Sequence, residues 1–199
     1  LPACTFAAAS GMQFAGWTTD LSGPGTTFAD EAVFDLTPTA SPLILHAVWL
    51  PTSLMLSASG HSIGILQGSS YAGDLDIPNC VTWIQDAAFA SCTTLTGVHI
   101  RAGLASGLGT TVFYGCTGLS SLELDEGIAS LPRQFCDGCT TLAEVELPAS
   151  FRSLGLSTFS GCSSLAKVVF KGETATIGES AFLRCKGLTD LELHEGLLS

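Results

Sequence analysis

The stretch from Ile177 to Leu193 reads I-G-E-S-A-F-L-R-C-K-G-L-T-D-L-E-L, and its pattern decides the fold. Its last three residues, Leu191, Glu192 and Leu193, alternate apolar and polar, the period of a strand with one buried face. Before them, Ala181, Phe182, Cys185 and Leu188 fall three and four positions apart, which predicts one or two helical turns facing the same interior. The pattern recurs upstream. Cys92, Cys116, Cys139, Cys162 and Cys185 are spaced 24, 23, 23 and 23 residues apart. Leu95, Leu119, Leu142, Leu165 and Leu188 keep step with them. So do the pairs Val98/Ile100, Leu122/Leu124, Val145/Leu147, Val168/Phe170 and Leu191/Leu193, with Leu75/Ile77 one period earlier. One such unit is too short to bury its own apolar faces. Stacked units share a continuous core, so the expected architecture is a solenoid with parallel strands about 4.8 Å apart.

This pattern resembles the leucine-rich repeats of the BspA-like (Treponema pallidum) type, which share an A-F-x-x-C-x-x-L-x-x-V-x-L-P signature. The resemblance runs from about Leu75 to Ser199. It implies an α/β leucine-rich repeat solenoid with parallel strands and short helical turns. Two departures are visible. Cys136 takes the Phe slot of the third block, with Phe135 beside it. The position where many leucine-rich repeats stack asparagines holds Gly103, Gly127, Ser150, Glu173 and Gly196.

The organisation expected from the chain is threefold. Residues 74–199 form the repeat array, which is expected to continue beyond Ser199. Residues 52–73 lack the signature; Leu54-Met55-Leu56 and Ile63-Gly64-Ile65-Leu66 read as a hairpin that caps the first coil. Residues 1–51 carry F-A-G-W-T-T at 14–19 and L-H-A-V-W at 45–49, two alternations each holding a Trp. They resemble a Listeria–Bacteroides repeat, a small β-grasp-like module, with its first strand missing and His46 in place of the usual Tyr. Trp17 and Trp49 are expected to anchor its core.

Composition narrows the function. Of 199 residues, 46% are hydrophobic and 13% charged, against about 25% charged in average soluble domains, which excludes a disordered acidic tail. The net charge is -11, from 18 acids and 7 Lys and Arg. Nucleic-acid binding needs clustered cations, so none is expected. No apolar run approaches the ~20 residues that span a bilayer, so no membrane insertion is expected. Leu1 to Met12 has no basic n-region, so it does not read as a signal peptide. The chain reads as a piece of a longer protein.

The chemistry-bearing residues point away from catalysis. Five cysteines fill one repeat slot, so we expect a buried ladder of reduced thiols. Side-by-side parallel Cβ vectors are poor disulfide geometry. Cys136-Asp137-Gly138-Cys139 is a C-x-x-C, yet both cysteines hold inward slots and no second pair completes a zinc site. Cys4 and Cys80 have no assigned role. His46, His61, His99 and His194 share no local motif with a nucleophile, and Gly103 to Gly109 lacks the Lys of a phosphate loop. No enzyme, cofactor or metal site is expected.

The outward face of the strands remains. Read by register, it presents Asp74, Asp76, His99, Arg101, Glu123, Asp125, Glu144, Glu146, Lys167, Lys171, Asp190 and Glu192, with Pro78, Pro148 and His194 at its border. Glu123 and Glu146 are expected side by side on adjacent strands. Two readings of this face stand: a solvated surface that keeps parallel strands soluble, or a binding surface for an extracellular or host protein, a basic one ranked ahead of a divalent cation. The resemblance implies a non-catalytic binding or adhesion module at a bacterial cell surface. The alternative is a structural spacer, or an accessory domain of a larger surface protein or enzyme.

Overall fold

The computed structural model describes residues 10, 12–18, 27–28, 46–51, 54–56, 62–65, 71–77, 81, 83–101, 107–172 and 176–193. In chain order, β1 (Met12–Thr18), β2 (Thr27–Phe28) and β3 (His46–Pro51) come first, then β4 (Leu54–Leu56) and β5 (Ser62–Ile65). The repeats then alternate longer and shorter strands. These are β6 (Gly73–Ile77) and β7 (Trp83–Ile84), β8 (Leu95–Ile100) and β9 (Gly107–Leu108), and β10 (Ser121–Leu124) and β11 (Ser130–Leu131). After them come β12 (Glu144–Leu147) and β13 (Ser153–Leu154), β14 (Lys167–Phe170) and β15 (Thr176–Ile177), and β16 (Asp190–Glu192).

The longer strands make a parallel front. β6, β8 and β10 pair in sequence, as do β12, β14 and β16, and β10 lies beside β12. The register keeps the repeat: Leu75, Val98 and Leu122 are neighbours, as are Val145, Val168 and Leu191. The shorter strands make a parallel back, β5-β7-β9 and β11-β13-β15. Between the faces the inward side chains form one core. Leu75, Ile77, Val98, Ile100, Val145, Leu147 and Val168 are all buried. In the last described strand, Leu191 is exposed, because no described coil packs on its far side.

Helical turns were expected at A-F-x-x-C, and among the described residues no helix occurs. Tight turns deliver the same inward side chains. Ala87 and Ser91, Thr111 and Gly115, Gln134 and Gly138, Ser157 and Gly161, and Ser180 and Arg184 all have positive φ, four residues apart in each coil. A left-handed residue at that interval stops helix propagation, which needs uniform negative φ. It also turns alternate N–H groups outward. Ala87, Phe89 and Ser91 donate to the carbonyls of Thr110, Val112 and Tyr114 in the next coil, at 2.9, 2.9 and 2.6 Å. The intervening N–H groups of Ala88, Ala90 and Cys92 close turns onto Gln85, Ala87 and Phe89. The turns thus form a third hydrogen-bonded strip along the solenoid.

Large and small side chains alternate behind that strip. Phe89 stacks on Phe113 with centroids 5.4 Å apart, and Phe113 meets Phe135 edge-on at 5.2 Å. In the third coil, Phe135 and Cys136 exchange the usual small-then-large order, and both are buried.

Before the repeats, β1 pairs antiparallel with β2 and β3, with Phe14 opposite Trp49 and a bulge between Phe14 and Gly16. The expected packing of Trp17 and Trp49 lies outside what is described. β4 and β5 form an antiparallel hairpin, Leu54 opposite Ile65 and Leu56 opposite Ile63, and β5 extends the back as a parallel neighbour of β7.

Two substitutions test this packing. Phe159 is fully buried, so Phe159→Ala should lower unfolding free energy by about 3–5 kcal/mol in denaturant melts. A loss under about 1 kcal/mol would place the side chain at the surface. A Cβ on Gly138 would meet nothing closer than 3.6 Å, but its φ is +79°. Gly138→Ala should therefore cost about 1–2 kcal/mol from backbone conformation alone, and no loss in the same melts would refute the left-handed turn.

Candidate functional site

The candidate site is the solvent side of the front strands. All twelve predicted residues lie on these strands or directly after them, while Pro78 and His194 fall outside the described residues. Strand geometry dictates who meets whom. The residue directly across is one period away, and the diagonal neighbour is two further.

The diagonals carry the charge pairs. Arg101 donates from Nε and a terminal nitrogen to the two oxygens of Asp76, both at 2.9 Å. His99 Nε2 sits 2.8 Å from Asp125 Oδ1, and its Nδ1 is 3.7 Å from Asp76. Lys171 reaches Glu146 at 2.6 Å. Lys167 contacts Glu192, and Asp190 at 3.9 Å. The Arg101 hydrogen bond holds the Asp76 carboxyl below its usual range. The bond from Lys171 does the same for Glu146, and Glu192 raises Lys167. These groups are exposed or half-buried, so each pair contributes little to stability in water.

The acids Glu123 and Glu146, expected side by side, stand on β10 and β12, which lie next to each other. Glu146 is not left without a cation, because Lys171 reaches back from the next coil. Glu123 and Glu144 have no ion pair among the described residues. The diagonal neighbour of Glu123 on the next strand is Pro148, which carries no charge.

Between β10 and β12 the face opens into a groove of about 610 Å³, lined by His99, Glu123, Glu126, Glu144, Glu146 and Lys171 among others. Glu126 was not singled out from the sequence, because it follows the strand. Its carboxylate accepts the N–H groups of Ala149 and Ser150 at 2.9 and 3.0 Å, which holds its pKa down. A second hollow, about 360 Å³, lies over Asp74, Asp76, Gly97 and Ser121. Gly97 makes that hollow: a Cβ there would stand 2.7 Å from Asp74 Oδ1. With the space clear, Asp74 leans over Gly97 and accepts a 2.6 Å hydrogen bond from the Thr96 hydroxyl.

The cysteines sit on the opposite side of the core. Cys92, Cys116, Cys136, Cys139, Cys162 and Cys185 are free thiols, all buried except the half-buried Cys185. The ladder thiols donate to backbone carbonyls one coil back. Cys116 meets Phe89 O at 3.0 Å, Cys139 meets Phe113 O at 3.2 Å, Cys162 meets Cys136 O at 3.1 Å and Cys185 meets Phe159 O at 3.0 Å. Burial pushes the Cys116 thiol up to about 12, and the neighbouring Cys139 adds to the shift. Burial also raises Cys136, Cys162 and Cys185. A thiol held protonated, as Cys136 is, is a weak nucleophile, and Cys139 is fully buried beside it, so the C-x-x-C reads as structural. No group of three or more His, Cys, Asp or Glu is arranged to hold a metal among the described residues. Nor is any described helix long and apolar enough to cross a membrane.

The family model described as BspA type leucine rich repeat region matches residues 66–189 in six copies. A leucine rich cell surface protein of Faecalibacterium prausnitzii superposes with TM-score 0.59 at 27% identity. The match covers 70% of this chain and 37% of that one, so the chain spans little more than a third of that relative. The T. pallidum leucine rich repeat protein superposes with TM-score 0.59 at 26% identity, covering 70% of this chain and 67% of its own. Comparison with curated proteins finds no match.

The thiols give this region its pH dependence. In the unfolded chain Cys116 ionises near its ordinary 9.0, while in the fold it stays protonated to about 12. The stability it supports is therefore complete below pH 9.0 and is lost as pH rises through about 12. Melts across that range should show falling stability, with a shallower fall in Cys116→Ala. An equal slope in both proteins, or native thiols that label as fast as denatured ones, would contradict the buried ladder.

Proposed function

The chain belongs to the BspA type leucine-rich repeat family, and from that premise we propose that its front face is a non-catalytic docking surface for a basic protein at a bacterial cell surface. The observation that carries this reading is the groove beside Glu123 and Glu144, whose carboxylates have no ion pair among the described residues. Elsewhere on the face Asp76, Glu146, Asp190 and Glu192 face Arg101, Lys171 and Lys167, Asp125 meets His99, and Asp74 accepts the Thr96 hydroxyl. A lysine or arginine side chain entering the groove can meet the Glu123 carboxylate without breaking an ion pair, while Glu144 stands opposite Lys167 on the next strand. Gathered charge also speeds encounter with an opposite charge, an effect that salt weakens. The Faecalibacterium relative described as a cell surface protein supports the location. The hairpin β4–β5 fits the role of a cap on the back, and the Trp-bearing strands β1 and β3 fit a truncated Listeria–Bacteroides module.

A second reading follows from the diagonal contacts, three ion pairs and the His99–Asp125 hydrogen bond. They satisfy much of the face internally, which suits a spacer that binds nothing. An oligolysine peptide separates the two. It should bind the parent at low salt and weaken from about 0.01 to 0.15 M ionic strength, where the Debye length shrinks from about 30 to 8 Å. Glu123→Lys with Glu144→Lys should reduce affinity by more than about tenfold. The control, Asp137→Lys with Glu179→Lys on the turn side, carries the same net charge and should bind nearly as the parent does. Equal loss in both variants would leave only diffuse attraction and favour the spacer.

A further inference from the structure

Among the described residues, both ladders stop at one boundary. On the front, β10 and β12 lie side by side yet belong to different sheets. On the back, β9 and β11 are likewise in different sheets. The coil that begins at β11 carries a proline at the bonding position of each face. After β8, β10 and β14, the next residue donates to the preceding coil. Arg101 bonds Ile77 O at 3.3 Å, Asp125 bonds Ile100 O at 3.0 Å and Lys171 bonds Leu147 O at 3.0 Å. Pro148 occupies this position after β12 and has no N–H. After other back strands, Gly109, Gly155 and Gly178 donate to Ile84, Leu131 and Leu154 at 2.8, 2.8 and 2.9 Å. Pro132 occupies that position after β11. One coil therefore lacks both donors, on opposite faces, toward the same neighbour.

The turn strip crosses this boundary intact. Thr111, Phe113 and Gly115 donate to Arg133, Phe135 and Asp137 at 3.1, 2.8 and 2.8 Å. The Cys139 thiol reaches Phe113 O, and the Phe113 and Phe135 rings meet edge-on. On the front, side-chain bonds stand in for the ladder: the Glu126 carboxylate accepts from Ala149 and Ser150, the Ser150 hydroxyl accepts from the Gly127 N–H at 2.7 Å, and the Thr141 hydroxyl donates to the Thr117 and Leu119 carbonyls, each at 2.8 Å. The boundary thus keeps its backbone strip along one side and lacks its backbone ladder on two.

We propose that this boundary is the hinge of the solenoid: the coils of β10 and β12 open from each other about the turn strip, and the front groove is the mouth of the opening. The inference rests on backbone bonding and does not depend on what the face binds.

Amide exchange of the intact chain, followed residue by residue, tests it. Successive N–H groups of a parallel strand face alternate neighbours, so Glu146, two residues before Pro148, faces β10. Glu123 and Val169 hold the same repeat position in β10 and β14. The protection factor of Glu146 should be lower than theirs by roughly tenfold, as local opening allows. Phe113 and Gly115, in the pivot, should stay protected. Pro132→Ala with Pro148→Ala restores both donors and should bring Glu146 level with Glu123. Equal protection at Glu146, Glu123 and Val169 in the parent would overturn the hinge. So would fast exchange at Phe113 and Gly115, which would mean that the coils part altogether. A folded double variant that leaves Glu146 unprotected would remove the prolines as its cause. If that variant does not fold, the comparison within the parent decides alone.

Discussion

Each coil can satisfy its backbone only through its neighbours. Its strands and left-handed turns point their N–H and C=O groups at the adjacent coils, and buried N–H and C=O groups left unpaired are costly. The front strands, the back strands and the turn strip are three solutions to that one demand. The repeat length follows from it, because a change in one coil shifts all three strips. The cysteine slot belongs to the same accounting. The Phe89 carbonyl accepts the N–H of Cys92 in its own coil and the thiol of Cys116 from the next. A small side chain that both packs as a hydrophobe and donates a weak hydrogen bond fits this slot.

Much of this was legible in the sequence because burial imposes periodicity. The inward pairs, the Phe slot and the Cys slot recur at one interval, and they line one core, fully buried in most coils and half-buried or exposed in the last described one. The turn conformation was not legible. A 3-4 apolar spacing is common to a helical turn and to tight turns that present the same residues. What separates them is positive φ at Ala87, Thr111, Gln134, Ser157 and Ser180, none of them glycine. Gly115, Gly138 and Gly161 hinted at it, but Ser91 and Arg184 at the same position hid the pattern.

The candidate site was legible as a list of residues and not as a set of pairings. Read by column, the face looks like an acidic surface with a few cations. The pairs form on diagonals: Asp76 with Arg101, His99 with Asp125, Glu146 with Lys171 and Lys167 with Glu192. Each joins a residue to one that lies a period plus two positions along the chain. That interval could have been searched for directly. Glu126 was beyond such a search, since its partners are backbone N–H groups whose exposure follows from the break beside them.

The same substitution explains the charge pattern and the bonding pattern at the boundary. Pro148 stands where a ladder donor stands in the coils of Arg101, Asp125 and Lys171. Those three side chains also supply one member of each of three diagonal pairs. A proline there removes both functions in one step. It withholds an N–H from Leu124 and a charged partner from Glu123, so the ladder and the ion pairing fail at the same place. Loss of the ladder alone would leave a seam closed by side chains. Loss of the charge partner alone would leave an acid over a continuous sheet. Their coincidence leaves a groove whose wall carries an acid with no ion pair among the described residues, at the junction where the front ladder lacks a donor.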